Sequence, residues 1–279
     1  MAKSPSPLRY PGGKSKIYER VKALIEINAM GNRTYIEPFA GGFGIGIGLL
    51  YDEVVKSAVL NDYDSHIYHF WFSVFNRTEG LLKKITDTPI TIDEREKQMA
   101  IYKDCSSDEL CDGFATLFLN RVNFSGVIKG GPIGGLSQNG KYKLDCRFNK
   151  EEIKKKIERI ALLKNRISLF NCDASDLFTD HLQDILYTAF FNIDPPYVIK
   201  GSRLYTNYFS ESDHRNLERV ITEHLGGIPW IVTYDDCQLI RDVYDQYLVT
   251  EYDIQHNAGG SVLGKELVIA NIPNGSFIW

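Results

Sequence analysis

Hydrophobic positions fall into two rhythms along this chain. Short apolar runs closed by a polar or acidic residue occur at both ends of the sequence, and they read as strands, with Ala189 to Ile193 reading as a buried one. These are Thr34 to Glu37, Ser57 to Asp62, Ile167 to Phe170, Ala189 to Ile193, Trp230 to Tyr234, Val249 to Ile254 and Leu267 to Ile272. Between Ser65 and Asn165 the apolar positions instead recur every three to four residues, at Ile67, Phe70, Trp71, Val74 and Phe75, and again at Phe114, Leu117 and Phe118. That period predicts helices. A further amphipathic helix is predicted from an N-cap at Ser15 to about Ile27. Six glycines between Gly126 and Gly140, followed by Lys141-Tyr142-Lys143-Leu144, predict a hairpin or mobile loop. The order strand, glycine-rich loop, helix, strand opens a Rossmann-like α/β sheet. Residues 1–64 and 166–279 are expected to form it, with 65–165 inserted as a mainly helical domain carrying the glycine-rich hairpin.

Composition changes this picture in two respects. At 279 residues and 43% hydrophobic content the chain can bury one large core with an insertion. No apolar run reaches the ~18 residues that span a bilayer, and Met1 to Pro5 lacks a signal-peptide apolar region, so a cytoplasmic protein without a membrane partner is expected. Cys105, Cys111, Cys146, Cys172 and Cys237 are scattered and odd in number, which predicts free thiols rather than disulfides or a zinc site. The six histidines show no metal-ligand spacing, and surface or satisfied-core positions suit them best. The net charge of −4 argues against a nucleic-acid binder until it is divided along the chain. Residues 121–166 hold twelve Lys/Arg against four acids, +8, leaving 20 basic and 32 acidic residues, −12, elsewhere. A basic segment on an acidic body predicts a local polyanion-binding face. Lys154 to Lys156 also fit the solvated face of a helix.

The chemistry gathers at strand ends. Pro38-Phe39-Ala40-Gly41-Gly42 follows the first strand, and glycines there let a ligand approach the backbone. Asp62 ends the next strand 21 residues after Gly41, close to the spacing at which such folds hold a ribose hydroxyl pair. The charge of Glu37 would repel a pyrophosphate and suit a cationic ligand. S-adenosylmethionine, an adenosine without phosphate and with a cationic methionine end, meets both demands. Asp173 is a third strand-end acid, able either to bind an adenine amino group or to cap a turn. Asp194-Pro195-Pro196-Tyr197 closes the Ala189–Ile193 run. An acid, two rings that donate no N–H, and an aromatic face describe a pocket for a flat, amino-bearing substrate.

Together with Tyr10-Pro11-Gly12-Gly13-Lys14, Glu37 to Gly42, Asn61-Asp62, Phe118-Leu119-Asn120-Arg121 and Gly264-Lys265-Glu266-Leu267, this tetrapeptide makes the chain resemble the Dam-like, D12-class adenine-N6 DNA methyltransferases over nearly its whole length. The resemblance implies a Rossmann-like, S-adenosylmethionine-dependent methyltransferase sheet with an inserted DNA-recognition domain. It implies a cofactor site of Tyr10, Lys14, Glu37, Pro38, Phe39, Gly41, Gly42, Asp62, Asp173 and Asp194, and a catalytic set of Asp194, Pro195, Pro196 and Tyr197. On local grounds Tyr10 also reads as a packed aromatic and Lys14 as a helix-start cation. In the insert, Asn120, Arg121, Phe124, Ser125, Lys129, Lys141, Lys143 and Arg147 are the candidates for contacting double-stranded DNA, with Phe124 entering the base stack. Val127 to Gly140 departs from the pattern of GATC-specific members, so the target sequence stays open. A monomer, with or without a cognate restriction endonuclease, is the expected assembly.

In the expected chemistry a base flipped out of the duplex stacks on Tyr197 while its N6 amine bonds to the Asp194 carboxylate and the Pro195 carbonyl. Tyr205 and Phe209 line the base pocket or share a helical face. The competing readings are an rRNA adenine-N6 or DNA cytosine-N4 methyltransferase, a nicotinamide-dependent oxidoreductase and a non-catalytic DNA-binding module. Asp at the head of the tetrapeptide favours adenine over cytosine-N4 enzymes and glutamine methylases, which by resemblance carry Ser and Asn there. The missing Gly-x-Gly-x-x-Gly after the first strand disfavours the oxidoreductase.

Overall fold

The computed structural model describes residues 4–9, 17–104, 108–199, 209–256 and 262–279, with only the backbone for 254–256 and 262–263. In chain order the main elements are α1 (Tyr18–Ile27), β1 (Thr34–Glu37), α2 (Gly44–Tyr51), β2 (Ala58–Asn61), α3 (Ser65–Asn76), α4 (Thr78–Asp87), α5 (Ile92–Lys103), α6 (Glu109–Val122), α7 (Lys150–Ala161), β3 (Ile167–Phe170), β4 (Ala189–Ile193), α8 (Glu211–Leu225), β5 (Trp230–Asp235), α9 (Gln238–Val243), β6 (Leu248–His256) and β7 (Val262–Asn271). They divide into two compact units, one of residues 14–63 and 166–279 and one of residues 1–13 and 64–165.

The first unit is built on a seven-stranded sheet in the order β3-β2-β1-β4-β5-β7-β6. Neighbours from β3 to β5 run parallel, and β7 runs antiparallel to both β5 and β6. Every residue of β2, β4 and β5 is buried, as expected of central strands covered on both faces. Ile36, Phe191, Val232 and Ile269 contribute to a core shared with Leu217, Ile221 and Leu225 of α8 and with Leu177 and Phe178. α2 is apolar all round because Ile45, Ile47, Leu49 and Leu50 are all buried. It starts after Phe43, whose φ of 47° turns the chain and lays the ring where a Cβ on Gly46 would sit at 2.3 Å. Only glycine fits at position 46.

The second unit is helical. α3 and α6 approach so closely that a Cβ on Gly113 would lie 2.5 Å from the His69 carbonyl. Side chains of Asp64, Thr91, Asp108 and Asn149 cap α3, α5, α6 and α7 by accepting backbone N–H groups. Buried Asp112 takes the Nδ1 of His66 and of His69, each at 2.7 Å, so these two histidines have satisfied positions.

Two expectations are corrected. Residues 4–9 belong with the helical unit and not with the sheet. Asn120 Oδ1 accepts the Arg9 N–H at 2.7 Å, its Nδ2 donates to the Arg9 carbonyl at 2.7 Å, and Lys156 Nζ donates to the carbonyls of Ser4 and Ser6. These are long-range side-chain partners, invisible to a reading by sequence neighbourhood. The glycine-rich stretch forms no strand pair; one antiparallel bridge, Asn123 to Pro132, is followed by turns. Gln138 explains this, because its side chain bonds the carbonyls of Ile133 and Gly135 and the N–H of Leu144, backbone groups a ladder would need. The predicted first helix begins at Tyr18, and its proposed cap, Ser15, lies outside the described residues.

Candidate active site

In the sheet, the chain leaves β1 for β2 on one side, while β4 pairs with β1 on the other. The carboxyl ends of strands at such a switch point border a crevice in which open α/β sheets bind ligands. Glu37 ends β1 and Asp194 follows β4, so the first and last of the predicted acids stand at that crevice.

The loop after β1 is pinned to the end of β2. Asn61 Nδ2 donates to the Pro38 carbonyl at 2.9 Å, the Ala40 N–H donates to the Asn61 carbonyl at 2.9 Å, and the Gly41 N–H donates to Asp62 Oδ2 at 2.8 Å. Asn61 also exchanges bonds with the backbone of Cys172, tying in the end of β3. Glu37 is buried, and its Oε1 accepts from Tyr35 Oη at 2.9 Å and from the Gly46 N–H at 3.1 Å. Burial raises its pKa from an ordinary 4.5 to about 8, with the charge of Asp194 adding to the rise. Glu37 is therefore mostly protonated at neutral pH, which corrects the charge argument against a phosphate ligand. A different obstacle replaces it: Glu37 occupies the Gly46 N–H, one of the free donors at the N-terminus of α2 that a phosphate would use. No Lys or Arg lies between Glu37 and Gly46 to compensate.

A proton held in the fold and released on unfolding makes stability pH-dependent. Between pH 4.5 and about 8 the native state holds the Glu37 proton and the unfolded state does not, so stability falls as pH rises across that window. Relative to Glu37→Gln, the wild-type melting temperature is expected to drop progressively from pH 4.5 to 8 and to level off above. Thermal melts of both proteins across that range check it; a constant difference would show that Glu37 holds no such proton.

The tetrapeptide is fastened by β5 and β7. Asp194 is half-buried and accepts from Thr233 Oγ1 at 2.9 Å, and Pro195 is buried beside it. Asp235, at the end of β5, accepts the N–H of Val198 at 3.0 Å and of Ile199 at 2.7 Å. Tyr197 differs from expectation. The residue is only 6% exposed, and its hydroxyl donates to Glu266 Oε2 on β7 at 3.0 Å. The hydroxyl's need for a buried partner draws the ring into the core. Asp173 is exposed and caps the turn at Ala174–Asp176, with Oδ1 accepting from the Ser175 N–H at 2.8 Å. Phe39 meets Phe209 edge-on, ring centroids 5.9 Å apart. Tyr10, Lys14 and Tyr205 lie outside the described residues.

The residues expected on DNA lie in the helical unit. Phe124 is 64% exposed on a short turn whose next residue, Ser125, has φ of 56°. Asn123 and Arg95 brace that turn: Arg95 Nε donates to Asn123 Oδ1 at 2.7 Å and its guanidinium reaches the Gly130 carbonyl, while Asn123 Nδ2 donates to the Ile128 carbonyl. Lys129, Lys141, Lys143 and Arg147 are exposed. Arg121 is largely buried, its Nε without a hydrogen-bond partner, and burial with the neighbouring Arg9 and Arg147 lowers its pKa to about 10. Asn120 departs from expectation: buried, with its amide committed to Arg9 and to the Gly126 carbonyl, it organises the protein instead of facing DNA. Lys150 and Lys156 likewise spend their ammonium groups on backbone carbonyls.

Sequence reasoning overlooked Asp235, Thr233, Arg9 and Arg95. The strand-end rule that found the other acids covers Asp235 too; nothing local distinguishes Arg95. Among the described residues no group of His, Cys, Asp or Glu could hold a metal ion, and no helix is long and apolar enough to cross a membrane.

Comparison with known proteins adds independent findings. The profile of the D12 class N6 adenine-specific DNA methyltransferases matches residues 10–257. The type II methyltransferase M.MjaIII of Methanocaldococcus jannaschii is 25% identical over 234 residues, covering 76% of this chain and 77% of its own. Among solved structures, the rRNA methyltransferase aviRa of Streptomyces viridochromogenes aligns at a TM-score of 0.43 with 10% identity, over 94% of this chain and 86% of that one. TrmK of M. capricolum, in complex with S-adenosyl-homocysteine, aligns at 0.41 with 10% identity, over 94% and 69%. Those structural likenesses are too slight to bear on activity. With a profile match over most of its length, the chain belongs to the D12 class of N6 adenine-specific DNA methyltransferases.

Proposed function

We propose that this DNA adenine methyltransferase takes its methyl group from S-adenosylmethionine and delivers it to an adenine extruded from duplex DNA at a specific sequence. The observation that carries the reading is Asp194, half-buried beside buried Pro195 at the end of β4, next to the strand whose loop is built to exclude phosphate. The fit to the cofactor rests on that loop. Glu37 takes the α2 donor that a pyrophosphate would need, which suits an adenosine carrying none. Asp62 would hold the ribose hydroxyls and Asp173 the adenine amine, while Glu37, mostly protonated, holds the start of α2 through the Gly46 N–H. Bound there, S-adenosylmethionine supplies an electrophilic methyl group.

The chain's own residues do the rest. Adenine N6 is a weak nucleophile because its lone pair is shared with the ring. An N6–H bonded to the Asp194 carboxylate, and the other to the Pro195 carbonyl, would return density to nitrogen. Pro195 and Pro196 have no N–H with which to compete for the base. Tyr197, nearly buried after β4, would border the pocket that takes the base. In the helical unit, exposed Phe124 is the wedge that fills the vacated stack, and exposed Lys129, Lys141 and Arg147 face the phosphates. Duplex DNA is thus the macromolecular partner, and the type II relative supports a setting beside a restriction endonuclease.

The test is transfer of labelled methyl from S-adenosylmethionine to duplex DNA and to rRNA, with the product nucleoside identified. N6-methyladenine in duplex DNA at one recurring sequence is expected. Methylation of rRNA alone, or of cytosine, would overturn the reading.

A further inference from the structure

Glu266 has no part in the chemistry above, yet it is 1% exposed and contacts the catalytic tetrapeptide. An apolar residue would fill such a place at lower desolvation cost, so a buried carboxylate there marks a directional demand. The register of the antiparallel strands shows what the demand is. Glu266 on β7 is paired with Asp235 on β5 and with Tyr252 on β6. Directly paired positions present their side chains on one face of the sheet. The row Tyr252, Glu266, Asp235 therefore crosses three strands, and its two carboxylates both receive donors from residues 197–199. Asp235 takes the backbone N–H of Val198 and Ile199, and Glu266 Oε2 takes the Tyr197 hydroxyl at 3.0 Å. The same Oε2 takes the Tyr252 hydroxyl at 2.7 Å. Tyr252 is itself held edge-on against Trp279, ring centroids 5.8 Å apart, with the Arg20 guanidinium over both rings.

We infer that Glu266 is a positioning residue for methyl transfer, fixing the plane of the Tyr197 ring against which the acceptor base is aligned. Tyr197 has two soft side-chain torsions. Asp235 anchors the backbone just beyond it and Glu266 anchors the far end of the ring, so neither torsion is free. Tyr252 keeps the Glu266 carboxylate from following the hydroxyl. The inference rests on the reading that Tyr197 borders the acceptor pocket.

The test is steady-state methyl transfer by Y197F, E266L, E266Q and the double variant Y197F/E266L, with kcat separated from the KM of DNA and of S-adenosylmethionine. Losing one orienting hydrogen bond is expected to lower kcat about tenfold in Y197F and in E266L, with both KM values unchanged. The double variant is expected to fall about tenfold as well, not a hundredfold, because both changes remove the same Tyr197–Glu266 bond, and the Tyr252 bond that E266L also removes does not reach the Tyr197 ring. E266Q keeps an acceptor oxygen at that position and should restore most of kcat. Y197F, which leaves the core intact, reads the same bond should E266L fail to fold. Full kcat in Y197F, or independent losses that multiply in the double variant, would overturn the inference. Y197A separates this from the underlying reading: if Y197A turns over at the wild-type rate, the pocket assignment itself is wrong, whereas an inactive Y197A with a fully active Y197F removes only the role of Glu266.

Discussion

Asp194→Ala is expected to lower the methyl-transfer rate by about 10³-fold while leaving the protein folded, the loss seen when one preorganised group that stabilises developing charge is removed. The asymmetry follows from the environment of the side chain. Asp194 is half-buried, and its bond to Thr233 Oγ1 is of a kind worth about 1 kcal/mol to the fold, so the melting temperature should move by only a few degrees. Its proposed bond to the N6 amine, in contrast, acts on the reacting atom as positive charge develops there. Single-turnover transfer with saturating S-adenosylmethionine and duplex DNA isolates the chemical step. Asp194→Asn should fall between the two, since it keeps an acceptor and loses the charge. An Asp194→Ala protein with wild-type single-turnover rate would remove this residue from the mechanism.

Phe124→Ala is expected to weaken base extrusion 10- to 100-fold, the range of a lost aromatic–base stack of about 1–3 kcal/mol. The ring is 64% exposed and has little core packing to lose, so folding should be unaffected. What it has is placement: Ser125 in the left-handed region and the Arg95–Asn123 bridge hold the turn that displays it. Fluorescence of 2-aminopurine at the target position reports extrusion directly. A substrate whose target base is mismatched has a smaller unstacking cost, and the variant should recover most of its activity on it. Equal extrusion by wild type and variant on a fully paired duplex would show that Phe124 is no wedge.

The strands β2 and β4, which lead to Asp62 and Asp194, were legible because a central parallel strand is buried on both faces and must be a continuous apolar run. Ala189–Ile193 is the clearest case, since it could be little else with Asp194-Pro195-Pro196 at its end. β7 was legible only in its second half, from Leu267, because Gly264, Lys265 and Glu266 look like a loop when read alone. Glu266 becomes a strand residue through pairing with Tyr252 and Asp235, neither of them near it in sequence. The charge bias of 121–166 was legible too, but not its division of labour. Lys129 and Arg147 are exposed, whereas Lys150 and Lys156 are consumed by carbonyls more than sixty residues away in the chain, an outcome set by helix packing.

The sequence by itself determined the α/β class, the acids at the strand ends, the tetrapeptide and the basic insert, because each of these depends on residue type and local spacing. Tertiary structure alone decided the protonation of Glu37, the capture of residues 4–9 by the helical unit, the burial of Asn120 and the tether from Tyr197 to Glu266. Those depend on desolvation and on hydrogen-bond partners brought together from distant positions, and neither quantity exists until the chain has folded.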